Sequence, residues 1–372
     1  MGKLVLITGG AGFIGSHVTD ELLQAGYRVR ILDNLLAQVH GPGQHPPDYL
    51  DHEAELIIGD IRDPEIVRKA LTGVDVLYHF AALVGVGQSM YQIRDYVDVN
   101  DGGTGTLLQE AIRFPLEKII VASSMSVYGE GLYRTAEGKE VHQARRKETD
   151  FRSGKWDIED DEGIPLVPVP TPEWKQPELA SVYALSKYVQ EQMTFLTGKA
   201  YSIPTVALRF FNVYGTRQSL SNPYTGVLAI FASRFLNNRP PIIFEDGNQK
   251  RDFIHVRDVA TACRLAMETE SVSAQPINIG SGNSYSIREI AEQLGRATGR
   301  RDIAPEVSGK YRVGDIRHCF SDISRARDLL GFTPEVSLSD GLTELADWLS
   351  TQQAVDRFDE AKEELSNRGL TL

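Results

Sequence analysis

The chain has 372 residues, of which 41% are hydrophobic and 24% are charged, and its formal net charge is −12 at pH 7. This composition is typical of a folded globular protein, and the length suits one large α/β domain with a smaller second lobe. The negative charge disfavours nucleic acid and acidic membrane surfaces as partners, because both would repel the chain on average.

The first half of the chain alternates between buried-strand and helix patterns. Helix patterns over Gly15–Ala25 and near Pro64–Thr72 and Gly103–Arg113 separate apolar runs of strand length. This alternation predicts a parallel, doubly wound α/β sheet. The predicted strands are Lys3–Thr8, Arg28–Asp33, Ala54–Gly59, Val74–Phe80 and Lys118–Ser123.

Residues 130–177 interrupt this alternation. The segment passes from a basic run at 145–147, through an acidic run at 157–162, to a proline-rich run at 165–172. We predict an irregular surface insertion. It is either a solvated loop without chemistry or a lid or partner-binding surface, since loops of this length in compact domains are often functional.

Beyond the insertion the elements become shorter, and turns rich in proline and glycine separate them from Gly215 onward. The predicted elements are a helix over Pro177–Thr197, strands over Ile203–Phe211 and Pro276–Ile279, and helices over Ile287–Thr298 and Ser324–Leu330.

The first predicted strand runs into a glycine-rich turn that contains Gly9, Gly12, Phe13, Ile14 and Gly15. Glycines permit a tight turn and the close approach of a ligand, and the following helix presents its N-terminus to a pyrophosphate.

An acidic residue follows this turn at the spacing that ribose binding requires. Asp33 ends the second predicted strand, 21 residues after Gly12. A carboxylate there accepts hydrogen bonds from the ribose hydroxyls and repels a 2′-phosphate. The sequence therefore predicts a Rossmann domain that binds NAD rather than NADP. Asp60, at the end of the third strand, is either an adenine contact or a turn residue.

A second motif supplies a candidate base. Tyr183 and Lys187 are four residues apart on the predicted long helix, so both side chains project from one face. An ammonium group beside a phenol stabilises the phenolate and lowers the phenol pKa, which gives a base near neutral pH. Ser124, at the carboxyl end of a predicted strand, is placed to hydrogen-bond the reacting oxygen.

Together these strings resemble the extended short-chain dehydrogenase/reductase family, in its group of NAD-dependent sugar-nucleotide epimerases and dehydratases. The matching strings are TGGAGFIGSHV (8–18), HFAALVGVGQS (79–89), SSMSVYG (123–129), YALSK (183–187), RFFNVYG (209–215), RDFIHVRDVA (251–260), NIGSG (278–282) and GDIRH (314–318).

The resemblance implies a catalytic triad of Ser124, Tyr183 and Lys187, and a 4-epimerase that acts through a transient 4-keto sugar. It implies an NAD-binding domain over 1–215, to which 252–280 returns, and a sugar-nucleotide-binding lobe mainly over 216–372. The implied NAD contacts are Gly9, Gly12, Phe13, Ile14, Gly15, Asp33, Asn34, Asp60, Ile61, Phe80, Ala81, Ala82, Asn100, Ser123, Tyr183, Lys187 and Phe211. The implied substrate contacts are Val84, Ser124, Ser126, Asn212, Val227, Leu228, Arg251, Arg312, Asp315 and Cys319.

Three alternatives stay open at this point. Family dehydratases carry an Asp-Glu pair where this chain has Met125 and Ser126, which disfavours water elimination. Family decarboxylases have a different pattern over 123–129. A non-catalytic NAD-binding sensor or scaffold would tend to lose Tyr183 or Lys187, and both are present.

A few positions in the sequence narrow the range of candidate substrates. UDP-galactose 4-epimerases usually have lysine and glutamate where this chain has Val84 and Gln88. The strings at 84–90 and 168–173 are more similar to dTDP-L-rhamnose 4-epimerases and their relatives. Cys319 matches a gate position where a small residue makes the sugar pocket roomy, although a small buried thiol is an equally good interpretation.

We also expect a cytoplasmic homodimer without a metal ion. The two cysteines, Cys263 and Cys319, have no metal-ligand spacing, and no apolar run approaches the roughly 20 residues that span a bilayer. In the family, the helices near 103–113 and 177–197 commonly pair between subunits.

Overall fold

The computed structural model describes residues 2–312 and 314–371. In chain order the strands are β1 Leu4–Thr8, β2 Arg28–Asp33, β3 Glu55–Ile58, β4 Val76–His79, β5 Lys118–Ser124, β6 Leu132–Arg134, β7 Glu140–Val141, β8 Val167–Val169, β9 Thr205–Phe210, β10 Asn212–Tyr214, β11 Ile242–Ile243, β12 Lys250–Arg251, β13 Phe253–His255, β14 Gln275–Ile279, β15 Tyr285–Ser286, β16 Glu306–Val307 and β17 His318–Cys319. The α-helices are α1 Phe13–Gln24, α2 Ala37–His40, α3 Pro64–Leu71, α4 Val86–Ser89, α5 Ile93–Tyr96, α6 Gly103–Ala111, α7 Glu148–Arg152, α8 Val182–Tyr201, α9 Val227–Leu236, α10 Val256–Glu268, α11 Ile287–Ala297, α12 Ser324–Leu330, α13 Leu338–Leu349 and α14 Phe358–Asn367. None of these helices is both long and apolar enough to cross a membrane.

A central sheet of seven strands has the order β14-β9-β5-β4-β1-β2-β3, and each neighbouring pair is parallel. The predicted Rossmann-like α/β fold is confirmed. From β1 the chain moves outward through β2 to β3, returns to β4 and then continues in the opposite direction. This reversal opens a crevice at the carboxyl ends of β1 and β4, where open α/β sheets bind their ligands.

Alternate side chains of each central strand enter hydrophobic clusters on opposite faces of the sheet. On β1, Val5 and Ile7 pack on the face covered by α1 and α10. Leu4 and Leu6 pack on the face covered by α3 and α6. Parallel strands covered on both faces read as continuous apolar runs, which is why the sequence reveals them. A separate cluster joins α9, α11 and α13 in the second lobe.

Several helices begin or end a few residues away from their predicted boundaries, and local capping explains the difference. The helix predicted over Pro177–Thr197 is α8, Val182–Tyr201, because the Ser181 hydroxyl accepts a hydrogen bond from the Ala184 N–H at 3.1 Å. It ends at Ser202, which has a left-handed φ of 57°. The helix predicted near Gly103–Arg113 ends at Ala111 and is preceded by a π-helical segment, Val97–Gly102.

The prediction of an irregular insertion over 130–177 is wrong in part. Within it, β6 pairs antiparallel with both β7 and β8. Tyr133, Ala144, Ile158 and Leu166 form a small buried cluster of their own. Strands of two or three residues are too short to produce a recognisable period, so the sequence pattern conceals this sheet.

A buried carboxylate fastens the insertion to the second lobe. Glu130 accepts hydrogen bonds from the backbone N–H groups of Arg317 and His318 at 2.6 and 3.1 Å, and from the Tyr133 hydroxyl at 2.8 Å. The Arg317 guanidinium in turn bonds Asp157 of the insertion at 2.8 Å. The insertion is therefore a folded part of the protein and not a detached loop.

A buried ion pair joins β9 to α8 and provides a test of the fold. Arg209 and Glu191 form two bonds, at 2.7 and 3.0 Å, and their side chains are 4% and 0% exposed. Arg209→Met leaves the Glu191 carboxylate buried without its partner, so we expect the free energy of unfolding to fall by about 3–5 kcal/mol. Urea denaturation followed by fluorescence measures this change.

The double variant Arg209→Met/Glu191→Met removes both charges, and we expect it to be more stable than Arg209→Met. Arg134→Met is the control, because its pair with Glu140 is exposed and should contribute less than about 1 kcal/mol. Equal stability of Arg209→Met and the wild type would contradict the structural role of this pair.

Candidate active site

A cleft of about 620 Å³ lies at the carboxyl edge of the central sheet. One end is lined by the glycine turn after β1, and the other extends between β5, α8 and the second lobe. This is the position that the strand order predicts for a ligand. Among the described residues, no three His, Cys, Asp or Glu side chains are grouped to hold a metal ion.

The glycine turn leaves no room for larger side chains. Gly9 has a φ of +71°, and a Cβ atom there would lie 2.8 Å from the Ala81 nitrogen. Gly12 precedes α1 as its N-cap residue and has no side chain to cover the helix end. The first N–H groups of a helix lack intrahelical acceptors, so they face the cleft as an anion-binding cradle.

Asp33 both lines the cleft and fixes this turn. Its carboxylate accepts hydrogen bonds from the N–H groups of Ala11 and Leu35, at 3.1 and 2.9 Å. Beyond it, the Asn34 amide donates to Asp60 at 3.3 Å. Hydrogen bonds from Arg62 are the main reason why the pKa of Asp60 falls to about 2. The carboxylates of Asp33 and Asp60 therefore lie beside the glycine turn. In a dinucleotide whose pyrophosphate binds at this turn, the ribose and the base would be the next groups to reach these carboxylates.

Ser124 and Tyr183 meet at the centre of the cleft. Ser124 ends β5, and its hydroxyl accepts hydrogen bonds from the Ser126 N–H at 3.1 Å and the Ser126 hydroxyl at 2.9 Å. The proton of the Ser124 hydroxyl is therefore available to donate a hydrogen bond to another group. Burial raises the pKa of the Tyr183 phenol above its usual value, and the nearby Ser124 hydroxyl offsets only part of this shift.

Lys187 lies one turn of α8 beyond Tyr183 and is buried. Its amine donates to the Gln190 side-chain oxygen at 2.7 Å. Burial lowers the pKa of Lys187 from its ordinary 10.5 to about 7. A small change in nearby charge therefore decides whether this lysine is an ammonium or a neutral amine near physiological pH.

A hydrogen-bond chain runs from this lysine back to the first strand. Gln190 donates to the Thr104 hydroxyl at 2.8 Å, and the His79 Nε2 lies 2.8 Å from the same hydroxyl. The His79 Nδ1 lies 2.8 Å from the Thr8 hydroxyl. Burial lowers the pKa of His79 to about 3, so the ring is neutral and acts structurally. The sequence analysis did not identify Gln190 or Thr104, since neither belongs to a recognised motif.

The second lobe contributes two arginines that are already held in place. Arg312 bonds Asp315 at 2.8 and 3.1 Å, and Arg251 donates to the backbone carbonyls of Lys250 and Arg317, both at 2.9 Å. These guanidinium groups give the acidic chain a local cationic patch. Such preorganised forks suit phosphate oxygens.

Most of the predicted contacts lie around this single cleft. The predicted residues that line it are Gly9, Gly12, Phe13, Ile14, Gly15, Asp33, Asn34, Asp60, Ile61, Phe80, Ala81, Ala82, Val84, Ser123, Ser124, Ser126, Tyr183, Lys187, Phe211, Asn212, Val227, Leu228, Arg251, Arg312 and Asp315. Lining residues that the sequence analysis missed include Arg217, Gln218, Tyr224, Glu245, Phe358 and Lys362.

Asn100 and Cys319 lie behind the lining, against expectation. The fully buried Asn100 amide donates to the Ser186 hydroxyl at 2.9 Å and to the Leu83 carbonyl at 3.1 Å, so it supports the wall. Cys319 is 1% exposed and packs with Met125 and Phe211. Any influence of Cys319 on the size of the pocket must pass through these neighbours.

Residues 5–150 and 165–280 match the NAD dependent epimerase/dehydratase family. The chain belongs to this family. NAD is its cofactor, and the turn at Gly9, the open end of α1 and Asp33 fit that group. The protein is an NAD-dependent enzyme of the nucleotide-sugar epimerase type.

Individual relatives cover almost the whole chain. A dTDP-L-rhamnose 4-epimerase of Burkholderia thailandensis is 34% identical over 96% of this chain and 97% of its own. A UDP-N-acetyl-alpha-D-glucosaminuronate decarboxylase of Bacillus cytotoxicus is 30% identical over 94% and 98%. The structure of a Thermus thermophilus UDP-glucose 4-epimerase in complex with NAD has a TM-score of 0.74, with 29% identity over 94% of this chain and all of that one (100%).

The lowered pKa of Lys187 makes stability depend on pH in a defined direction. Between pH 7 and 10.5 the unfolded chain binds this proton more tightly than the folded one, so the free energy of unfolding rises with pH. Lys187→Met removes this contribution. We expect the stability of the wild type to rise relative to Lys187→Met across that window.

Urea denaturation of the NAD-free proteins at several pH values measures this difference. Lys69→Met replaces an exposed lysine outside the cleft lining and controls for the loss of one positive charge. A constant difference between wild type and Lys187→Met from pH 7 to 10 would show that Lys187 is not the cause.

Proposed function

We propose that the protein inverts the configuration at C4 of a nucleotide-diphosphate sugar. The substrate is a dTDP-6-deoxysugar of the L-rhamnose type or a UDP-hexose. The observation that carries this proposal is that Ser124, Tyr183 and Lys187 line one cleft, together with the glycine turn and the arginines of the second lobe.

The sugar hydroxyl at C4 is activated by Ser124 and Tyr183. Ser124 accepts both hydrogen bonds of Ser126, so its proton points to the substrate or to the phenol. Tyr183 takes the C4 hydroxyl proton as a phenolate and later returns it. The glycine turn and Asp33 would hold NAD, which would supply the acceptor for the C4 hydride and the donor for its return to the other face of a transient 4-keto sugar.

Lys187 favours ionisation of the Tyr183 phenol to the phenolate. In the protein alone, burial holds the phenol pKa above its usual value and the lysine pKa at about 7. An ammonium at Lys187 would stabilise a phenolate at Tyr183 and so lower the pKa of the phenol. Gln190 holds the amine at 2.7 Å and fixes its direction.

The residues after Ser124 favour epimerisation over water elimination. Elimination needs a carboxylic acid to protonate the leaving hydroxyl. Met125 and Ser126 line the cleft at those positions, and neither side chain is an acid. At these two positions the 4-keto sugar therefore meets no acid that would protonate a leaving hydroxyl.

Tyr183→Phe tests the chemistry. We expect a loss of turnover of about 100-fold or more, because general acid–base catalysis supplies at least that factor, while NAD stays bound. The purified variant is incubated with dTDP-L-rhamnose, UDP-glucose and UDP-GlcNAc separately, and C4 configuration is followed by proton NMR.

Tyr201→Phe, on the same helix and 55% exposed, is the matched control and should keep full activity. Epimerisation by the Tyr183→Phe variant at the wild-type rate would contradict the proposed base. A lack of C4 inversion by the wild type with all three sugars, together with release of carbon dioxide from a UDP-glucuronate substrate, would favour a decarboxylase instead.

We also propose that two copies of the chain pair through α8. Leu185 and Leu196 on this helix are 46% and 68% exposed, and Val97 on the π-helical segment is 45% exposed. Apolar side chains on two helices gain stability when a second copy covers them.

Leu185→Glu/Leu196→Glu tests this pairing. Two buried carboxylates in the interface would oppose association, so we expect a monomer by light scattering where the wild type is a dimer. Val167→Glu, 53% exposed in the insertion, should leave the mass unchanged. A double variant that keeps the wild-type mass would rule out this surface.

A further inference from the structure

We propose that α14 forms the outer wall of the substrate cleft and that Lys362 on this helix binds the diphosphate of the ligand. The inference rests on the proposed function, because it assumes a nucleotide-diphosphate sugar. Four residues of α14 line the cleft, and they recur at helical spacing on one face of the helix. These residues are Phe358, Ala361, Lys362 and Leu365.

The chain before α14 is fastened to the second lobe. The Val355 N–H donates to the Ser221 hydroxyl at 3.0 Å, and the Asn237 amide donates to the Ala354 carbonyl at 2.9 Å. The buried Arg234 guanidinium bonds Asp356 at 3.1 Å. The start of the helix is therefore held in one position relative to the cleft.

The chain after α14 is also fastened to neighbouring parts of the protein. The Arg368 guanidinium lies 4.4 Å from the centre of the Tyr91 ring. Thr371 forms a β-bridge with Arg312, one of the two arginines in the cleft. The chain is thus held both before and after α14, so the helix is a wall of the site rather than a loose tail.

Packing at the two ends of α14 fixes where Lys362 stands along the cleft. The Phe358 ring lies 6.5 Å from the Phe244 ring, and the Arg312 guanidinium lies 5.3 Å from the same ring. At the other end, Leu365 adjoins Gly87 of α4. The residue before this helix, Gly85, accepts a hydrogen bond from the Tyr96 hydroxyl at 3.0 Å, and the Tyr96 ring lies 6.5 Å from the Tyr183 ring.

Lys362 lies between these two ends. At 1.5 Å rise per residue it is about 6 Å along the helix from Phe358 and about 4.5 Å from Leu365. In a nucleotide-diphosphate sugar with its sugar at Tyr183, the diphosphate is the next group along the ligand. Lys362 therefore stands beside the position of the diphosphate.

The charge of Lys362 is available for this contact. Within residues 2–312 and 314–371 its amine forms no ion pair and no hydrogen bond with described side chains, and the residue is half-buried. Arg312 is already paired with Asp315, and Arg251 is bonded to backbone carbonyls. A third cation in the cleft lining would add a charge-assisted bond to those that the two arginines can make.

The test is direct binding of UDP, dTDP and uridine to the NAD-loaded enzyme by calorimetry. Lys362→Met should weaken UDP and dTDP binding about tenfold, and Lys362→Arg should restore most of the loss. Uridine binding should not change, because uridine has no phosphate. Glu363→Gln, an exposed neighbour on the same helix outside the cleft lining, should bind all three like the wild type.

Several results would overturn the inference. These are unchanged UDP affinity in Lys362→Met, an equal loss for UDP and uridine, or a wild type that binds neither nucleotide. The measurement needs no turnover. If no sugar is epimerised but Lys362→Met still loses UDP affinity selectively, the proposed reaction fails and the diphosphate contact stands.

Discussion

The buried pair of Arg209 and Glu191 is the interaction on which the active site depends. It fixes α8, the helix that carries Tyr183 and Lys187, to the central strand β9. The same Glu191 carboxylate accepts a hydrogen bond from Ser123 at 2.8 Å, and Ser123 immediately precedes Ser124 on β5. One carboxylate thus positions both the helix that carries Tyr183 and the strand that carries Ser124.

A second buried network ties Lys187 to the strand that begins the cofactor site. Thr8, the last residue of β1, connects through His79 and Thr104 to Gln190 and then to Lys187. Each polar group in this chain is buried and bonded, which keeps the lysine direction fixed in a medium of low polarity. The position of the Lys187 side chain therefore depends on the same hydrogen bonds that hold the end of β1, where the glycine turn begins.

The second lobe contributes positive charge to the cleft, which suits the anionic ligand proposed above. The protein is acidic as a whole, yet Arg251, Arg312 and Lys362 face one stretch of the cleft. Long-range repulsion by the net charge is screened in salt solution, whereas contacts within a few ångströms are not. A local cationic patch can therefore hold an anionic ligand on an acidic enzyme.

The sequence by itself determined the central sheet, the glycine turn, Asp33 and the spacing of Tyr183 and Lys187. These features depend on local patterns: continuous apolar runs, glycines at a strand end, and a helical interval of four residues. Even the boundary of α12, Ser324–Leu330, agrees with prediction.

Only the tertiary structure determined which residues that are far apart in the chain contact one another, and hence their roles. The short strands of the insertion have no readable period, and they are stabilised by pairing with one another and by Glu130. Asn100 and Cys319 lie behind the cleft wall because side-chain packing determines how deeply a residue is buried, and a sequence motif does not. Gln190 becomes important through Lys187 and Thr104, and α14 through the cleft that it covers. Such roles arise from long-range contacts, and the order of residues along a chain does not specify those contacts locally.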